Sequence, residues 1–294
     1  FLSTVEETPS KQKEFSERFY NELFEGRFIA GGRVLAGAGD LYRLKTLANC
    51  FVSQIDTDDI DSIYKAAFEC ARTYSYGGGI GVDISCLRPK DAIVHNAADS
   101  STGAVSFMEL YSLTTGLIGQ SGRRGALMLT ISVHHPQILD FVKIKRDLTR
   151  VTGANISVRV SDEFMEAVKL GQRYEQRWPV DTIEPEISNK DTYAQEVWNA
   201  LIESAHTSAE PGVLFWDTAK RNTPSDIYEE QGFGSVSTNP CGEIILSPYD
   251  SCRLMLVNLT SFVENAWTQE AYFEWGKFAN IVQKAQRLMD DMID

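Results

Sequence analysis

The sequence predicts an α/β fold, a largely parallel sheet with covering helices. Three observations lead there. Strand-like apolar runs alternate with segments of helical spacing along most of the chain, the order that parallel strands and crossover helices produce. One run, ALMLTISV (126–133), is apolar almost throughout, as a strand covered on both faces is. No internal repeat, low-complexity tract or clear linker divides the chain, so one α/β domain with a helical lead is the simplest organisation.

The elements follow in order. Residues 11–25 place Phe15, Phe19 and Leu23 at helical spacing. GGRVLAGAG (31–39) reads as a glycine-rich turn and NCFVSQI (49–55) as a strand. DDIDSIYKAAFECARTY (58–74) reads as a helix whose acidic first turn suits the helix dipole. GGGIGVDIS (77–85) is a loop entering a strand, and TGAVSFMELYSLTTGLI (102–118) an amphipathic helix. After the strand at 126–133 come a helix near PQILDFVKIKR, a strand at NISVRVS (155–161) and a helix at DEFMEAVKLG closed by glycine. The polar stretch 171–190 reads as a surface excursion. A helix at 191–209, strands at GVLFWD and RLMLVNLTSFV, and a helix over 273–293 complete the order. A sheet that stops on a long helix is either closed by it or incomplete, and the pattern leaves both open.

Composition narrows the function classes. The chain has 294 residues, 43% hydrophobic and 23% charged, enough for a sizeable core and too apolar for a disordered chain. The net charge of −13 argues against a nucleic-acid partner. No apolar run is long enough to span a membrane, and the first residues lack the basic start and apolar run of a signal peptide. Cysteines 50, 70, 86, 241 and 252 include no C-x-x-C pair, so a structural zinc site is not expected and a reducing, cytoplasmic compartment is.

The chemistry concentrates in STNPCGEIIL (237–246), which sets Asn239, Cys241 and Glu243 at alternate positions. In an extended backbone the three side chains share a face. Pro240 and Gly242 weaken an ordinary strand ladder and point to a stiff, tight loop. Glu243 suits general acid–base work, Asn239 suits hydrogen bonding without titration, and Cys241 is open to nucleophilic, redox or hydrogen-atom chemistry. A nucleophilic cysteine normally wants a histidine. His95, His134, His135 and His206 sit in no recognisable catalytic context, which tilts the reading toward redox or radical chemistry. Cys50 and Cys252 both start strand-like runs. Plain buried cysteines are the ordinary reading, and a redox pair beside a radical thiol is the sharper one.

STNPCGEI resembles the active-site loop of the ribonucleotide reductase catalytic subunit, most of all in its adenosylcobalamin-dependent (class II) branch. FIAGGRVLAGAG, NCFV, GGGIGVDISCLRP, TGAVSFMELYS, SGRRGALMLTI, HPQILDFVKIKR, NISVRVSDEFMEAV, SAEPGVLF and CRLMLVNLTSFV follow that family in order, over nearly the whole chain.

The resemblance implies an α/β barrel of ten strands built from two halves. This chain would hold the first part: a helical lead over 1–30, then a half-barrel with the central cysteine loop over 31–294. It implies thiyl-radical reduction of a ribonucleoside di- or triphosphate to the deoxyribonucleotide. Cys241 would remove the 3′ hydrogen, Glu243 would take the 3′-hydroxyl proton, and Asn239 would orient the ribose hydroxyls. Cys50 and Cys252 would be the redox pair, although SCRL departs from the more usual SCNLG, while Cys70 and Cys86 match no catalytic position. Asn49, Gly78, Gly79 and Arg124 would face the substrate, with Val34 standing where a phosphate-cradle threonine is common. Asp58 and Arg88 would hold a deoxynucleotide effector.

Adenosylcobalamin is the cofactor this branch implies; in the class I alternative no cofactor is bound and a metal-containing partner subunit supplies the radical. A non-catalytic nucleotide-binding half is the remaining alternative. Neither a Pro-Thr-x-Thr-type phosphate segment, nor a C-terminal cysteine pair, nor an ATP-cone domain is recognisable. A second polypeptide completing the barrel, a thioredoxin- or glutaredoxin-type reductant and a homodimer are therefore the expected partners.

Overall fold

The computed structural model describes residues 1–119 and 125–293. The chain divides into two compact units, Phe1–Asn49 with Cys252–Asp294, and Cys50–Ser251. The expected lead over 1–30 lies inside the first.

That unit begins with α1 (Pro9–Phe24), started by Thr8, whose side chain accepts the Lys11 N–H at 3.3 Å, and by proline at the first turn. Phe19 is buried, but Leu23 is exposed; Glu22 takes the inward place instead and pairs with Arg27 and Lys284. Helical spacing alone could not reveal a carboxylate buried by two cations. β1 (Phe28–Ala30) follows. The glycine-rich stretch expected to be a turn forms a short helix, α2 (Gly32–Gly37). Its internal run Arg33–Val34–Leu35–Ala36 tolerates helical dihedrals, and Val34 is buried.

The second unit is the parallel sheet. β2 (Cys50–Ser53), β3 (Gly79–Asp83), β4 (Leu127–Ser132), β5 (Asn155–Val160) and β8 (Gly212–Phe215) lie side by side, each parallel to the next. In register, Cys50 faces Gly79, Val82 faces Leu129 and Ile131 faces Val158. These parallel strands are part of the barrel sheet that the resemblance implies. The crossovers are α3 (Ile60–Ser75), α4 (Ala104–Leu117), α5 (Ile138–Lys143), α6 (Asp162–Leu170) and α7 (Ala194–Ser208). Asp59 caps α3 by accepting the Ser62 N–H at 2.8 Å. Val82, Leu129, Ile131 and Val158 are fully buried with Tyr74, Tyr111, Met108, Phe141 and Phe164.

The stretch 171–190 is more than a surface excursion. β6 (Gln176–Trp178) and β7 (Ile187–Asn189) form an antiparallel hairpin, with Gln176 and Trp178 buried. The Trp178 indole N–H donates to the Cys86 carbonyl at 3.0 Å. α8 (Trp216–Asn222) follows β8. A small hairpin, β9 (Ser237–Thr238) and β10 (Ile245–Leu246), carries the cysteine loop.

In the first unit again, RLMLVNLTSFV does not form one long strand. Met255–Val257 is extended and pairs antiparallel with β1, Phe28 opposite Val257, a 3-10 turn follows over Leu259–Phe262, and Val263 opens a separate short strand paired with Phe273. α9 (Trp275–Asp291) buries Ile281, Ala285 and Leu288 in a cluster with Phe19, Phe28 and Phe262. Among the described residues, no helix is long and apolar enough to cross a membrane.

Candidate active site

Cys241 sits in the loop between β9 and β10. The loop is a tight turn, not the extended segment that alternate spacing suggested. The Asn239 N–H donates to the Ile244 carbonyl at 3.1 Å, and the Gly242 N–H to the Asn239 carbonyl at 3.0 Å. Gly242 has φ +82°, a conformation that glycine adopts without a Cβ penalty. Asn239 therefore does not share a face with the other two. It is fully buried, whereas Cys241 and Glu243 are exposed.

The buried amide is used twice. Its Oδ1 accepts the Ile244 N–H at 3.1 Å, closing the loop, and its Nδ2 lies 3.7 Å from Cys50 Sγ as a donor. Cys50 is buried at the start of β2. Partial desolvation, then the Glu243 charge, then Cys50 push the Cys241 thiol above its ordinary pKa. Although the side chain is exposed, the loop around it removes part of its hydration. The thiol therefore stays protonated at neutral pH, which disfavours thiolate attack and suits a hydrogen-atom donor.

The first arm of the hairpin runs along β3, and glycines make that approach possible. A Cβ on Gly81 would stand 1.8 Å from the Thr238 carbonyl oxygen, and one on Gly79 would stand 2.7 Å from Pro240 Cγ. Asn155 on β5 donates through Nδ2 to the Pro240 carbonyl at 2.8 Å. Gly78 is buried against Phe51, 2.7 Å from where its Cβ would be. The close approach that Gly78 and Gly79 permit is thus by the chain's own Phe51 and Pro240.

At the other end of the arm lies a buried polar cluster that sequence reasoning missed. Arg159 on β5 donates through Nη2 to Asp83 Oδ1 at 3.1 Å and to Ser85 Oγ at 3.0 Å, and through Nη1 to the Val236 carbonyl at 3.2 Å. Its Nε lies 3.0 Å from Asp83 Oδ2, off the line of a directed hydrogen bond. Thr130 Oγ1 donates to Asp83 Oδ2 at 2.7 Å and lies 3.1 Å from Ser237 Oγ. Burial raises the Asp83 pKa, and Arg159 and Thr130 oppose that rise. The available signal was an arginine in the outward-alternating row of NISVRV, inside a sheet covered on both faces.

Asp58 and Arg88, the residues expected at an effector site, are brought together. Arg88 donates its backbone N–H to Asp58 Oδ1 at 3.0 Å, and its Nε pairs with Oδ2. Arg88 Nη1 reaches the Ile93 carbonyl at 2.8 Å, and the guanidinium stands 5.7 Å from the Trp178 ring centre. Asn49 and Cys252 belong to the other unit, where the Asn49 N–H donates to the Cys252 carbonyl at 2.8 Å and Asn49 Oδ1 accepts the Leu254 N–H at 3.2 Å. Arg124 lies outside the described residues. Burial pushes the Cys70 and Cys86 thiols up to about 12, as befits inert core groups.

A family model described as the ribonucleotide reductase barrel domain matches residues 48–294. The chain is 32% identical over 299 residues to a vitamin B12-dependent ribonucleoside-diphosphate reductase of Thermoplasma acidophilum, a match covering 100% of this chain and 37% of that protein. A reductase of the same description from Mycobacterium tuberculosis is 32% identical, covering 97% of this chain and 39% of its own length. The ribonucleoside-diphosphate reductase large subunit of Danio rerio is 25% identical, covering 94% and 37%. The chain thus spans 37–39% of the length of these relatives. The fold is also that of the Actinobacillus ureae class Id ribonucleotide reductase alpha subunit, with a TM-score of 0.69 at 22% identity, covering 88% of this chain and 45% of that one.

Proposed function

Because the chain belongs to the ribonucleotide reductase barrel-domain family, we propose that it carries the radical-bearing half of an enzyme that reduces ribonucleotides to deoxyribonucleotides. One observation carries the reading: an exposed Cys241 at the tip of a loop pinned to the sheet, with exposed Glu243 two residues on. In that role Cys241, as a thiyl radical, removes the 3′ hydrogen of the ribose. Glu243 accepts the 3′-hydroxyl proton, and water leaves from the 2′ carbon. Cys50 and Cys252 give up two electrons and two protons and become a disulfide, and Cys241 returns the 3′ hydrogen. A thioredoxin- or glutaredoxin-type protein then restores the two thiols.

The B12-dependent names of the relatives support adenosylcobalamin as the radical source. When bound, it supplies one-electron oxidation of the Cys241 thiol through its weak carbon–cobalt bond. An exposed thiol fits a radical source arriving from outside the loop. The rest falls to the chain's own groups: Asn239 closes the loop, Gly79 and Gly81 let it approach the sheet, and Asn155 fixes Pro240. In this reading Asn239 reaches the ribose hydroxyls only if the loop opens. Asp58 and Arg88 would hold a deoxynucleotide effector at a homodimer interface, Arg124 and Asn49 would face the substrate, and a further polypeptide segment would complete the barrel.

The test is substitution of the two exposed groups in the completed enzyme. Cys241→Ala and Glu243→Gln each abolish or cut deoxynucleotide formation by about a hundredfold or more, the usual range for a lost acid–base group. Wild-type turnover in Cys241→Ala would end the reading.

A further inference from the structure

We propose that Arg159 is a positioning residue that locks the register of the cysteine loop on the sheet. This rests on the reading of Cys241 as the reacting thiol. The loop arm and β3 run in opposite directions and match two residues at a time. Pro240 lies over Gly79, Thr238 over Gly81, and the Val236–Ser237 pair over the Asp83 end of the strand. The glycines allow close approach but carry no side chain that could choose a register. A one-residue slip of an extended arm turns every side chain over, and here it would carry Cys241 away from its place beside Cys50. Something at an end of the arm must fix the alignment.

Arg159 is built for this. It contributes charge-assisted bonds to both partners at once, Asp83 on the sheet and the Val236 carbonyl on the arm. Its side chain is 10% exposed, and the guanidinium lies 4.7 Å from the Trp216 ring centre, which fixes its plane. Thr130 and Ser237, both fully buried, add a second link from the same carboxylate to the next arm residue. The cluster therefore joins β3, β4 and β5 to the root of the loop through one carboxylate, while Asn155 holds the other end at Pro240. Cys241 is the next residue after that second anchor.

The test separates register from stability. Arg159→Lys keeps a cation for Asp83 but lacks the planar fork that spans Asp83 and Val236 together. Ser237→Ala cuts only the arm side of the second link. In the full chain, each variant should speed amide hydrogen exchange in the peptide 236–246 by roughly tenfold, the worth of one net hydrogen bond, and change the Cys241 alkylation rate by iodoacetamide severalfold, with exchange in β4 and β5 unchanged. Unchanged exchange at 236–246 in both variants would overturn the lock. So would acceleration spread evenly over all five strands, which marks a merely structural ion pair. In the completed enzyme, kcat should fall with KM nearly constant. Neither the exchange nor the alkylation arm uses turnover, so loss of the reductase reading would show separately, as activity that survives Cys241→Ala.

Discussion

Gly81→Ala adds one methyl group where the structure has no room for it. The new Cβ would lie 1.8 Å from the Thr238 carbonyl oxygen, whereas real Cβ atoms stay beyond about 3.0 Å, and the opposing atom is backbone rather than a flexible side-chain end. The arm must therefore move off β3 by more than an ångström, and Cys241 lies three residues further along it. Misplacement of about 1 Å costs on the order of a hundredfold in rate, or about 2.7 kcal/mol of barrier. The net stability effect is no larger than that. Overpacking costs about 1–3 kcal/mol, and removing a strand-interior glycine returns about 0.5–1 kcal/mol. Turnover of the completed enzyme should thus drop about a hundredfold while thermal unfolding shifts by only a few degrees. Gly116→Ala is the control: nothing lies within 4 Å of its added Cβ in α4, and it should stabilise by about 0.5–1 kcal/mol with activity intact. Gly81→Ala within a factor of about three of wild-type turnover would refute the account of how the loop is seated.

Three further outcomes follow. Asn239→Ala leaves the Ile244 N–H without its side-chain acceptor and should destabilise by about 1–3 kcal/mol in chemical unfolding; an unchanged midpoint would contradict that role. His135 is fully buried, and burial lowers its pKa to about 4. The unfolded chain, with a pKa near 6.5, therefore binds this proton first, so the stability held above pH 6.5 should fall as pH drops toward about 4, by up to about 3 kcal/mol. His135→Gln should flatten that slope in a pH series of unfolding midpoints. Asp58→Ala removes the carboxylate that holds Arg88 and should weaken deoxynucleotide binding about tenfold by calorimetry; unchanged affinity would remove Asp58 from the effector reading.

The parallel strands were legible because a strand covered on both faces leaves an unbroken apolar record, as at 126–133. The helices at 58–74, 162–170 and 191–209 were legible from spacing and caps. What escaped was set by partners distant in sequence. Glu22 is inward only because Arg27 and Lys284 meet it. The segment near Met255 is short and antiparallel because β1 is its neighbour. Asn239 is buried because the loop turns at Gly242, which alternate spacing does not encode. The Cys241 and Glu243 positions could be named from the motif, but the Asp83–Arg159 cluster that seats them could not. It depends on three strands and a hairpin meeting in space.

The most direct test of the central claim is a turnover assay of the completed enzyme with a ribonucleotide, a dithiol and adenosylcobalamin. The account predicts deoxynucleotide that requires the cobalamin and disappears in Cys241→Ala. Product formed without cobalamin once a metal-containing radical subunit is added would contradict the proposed radical source, and product that survives Cys241→Ala would contradict the thiyl chemistry itself.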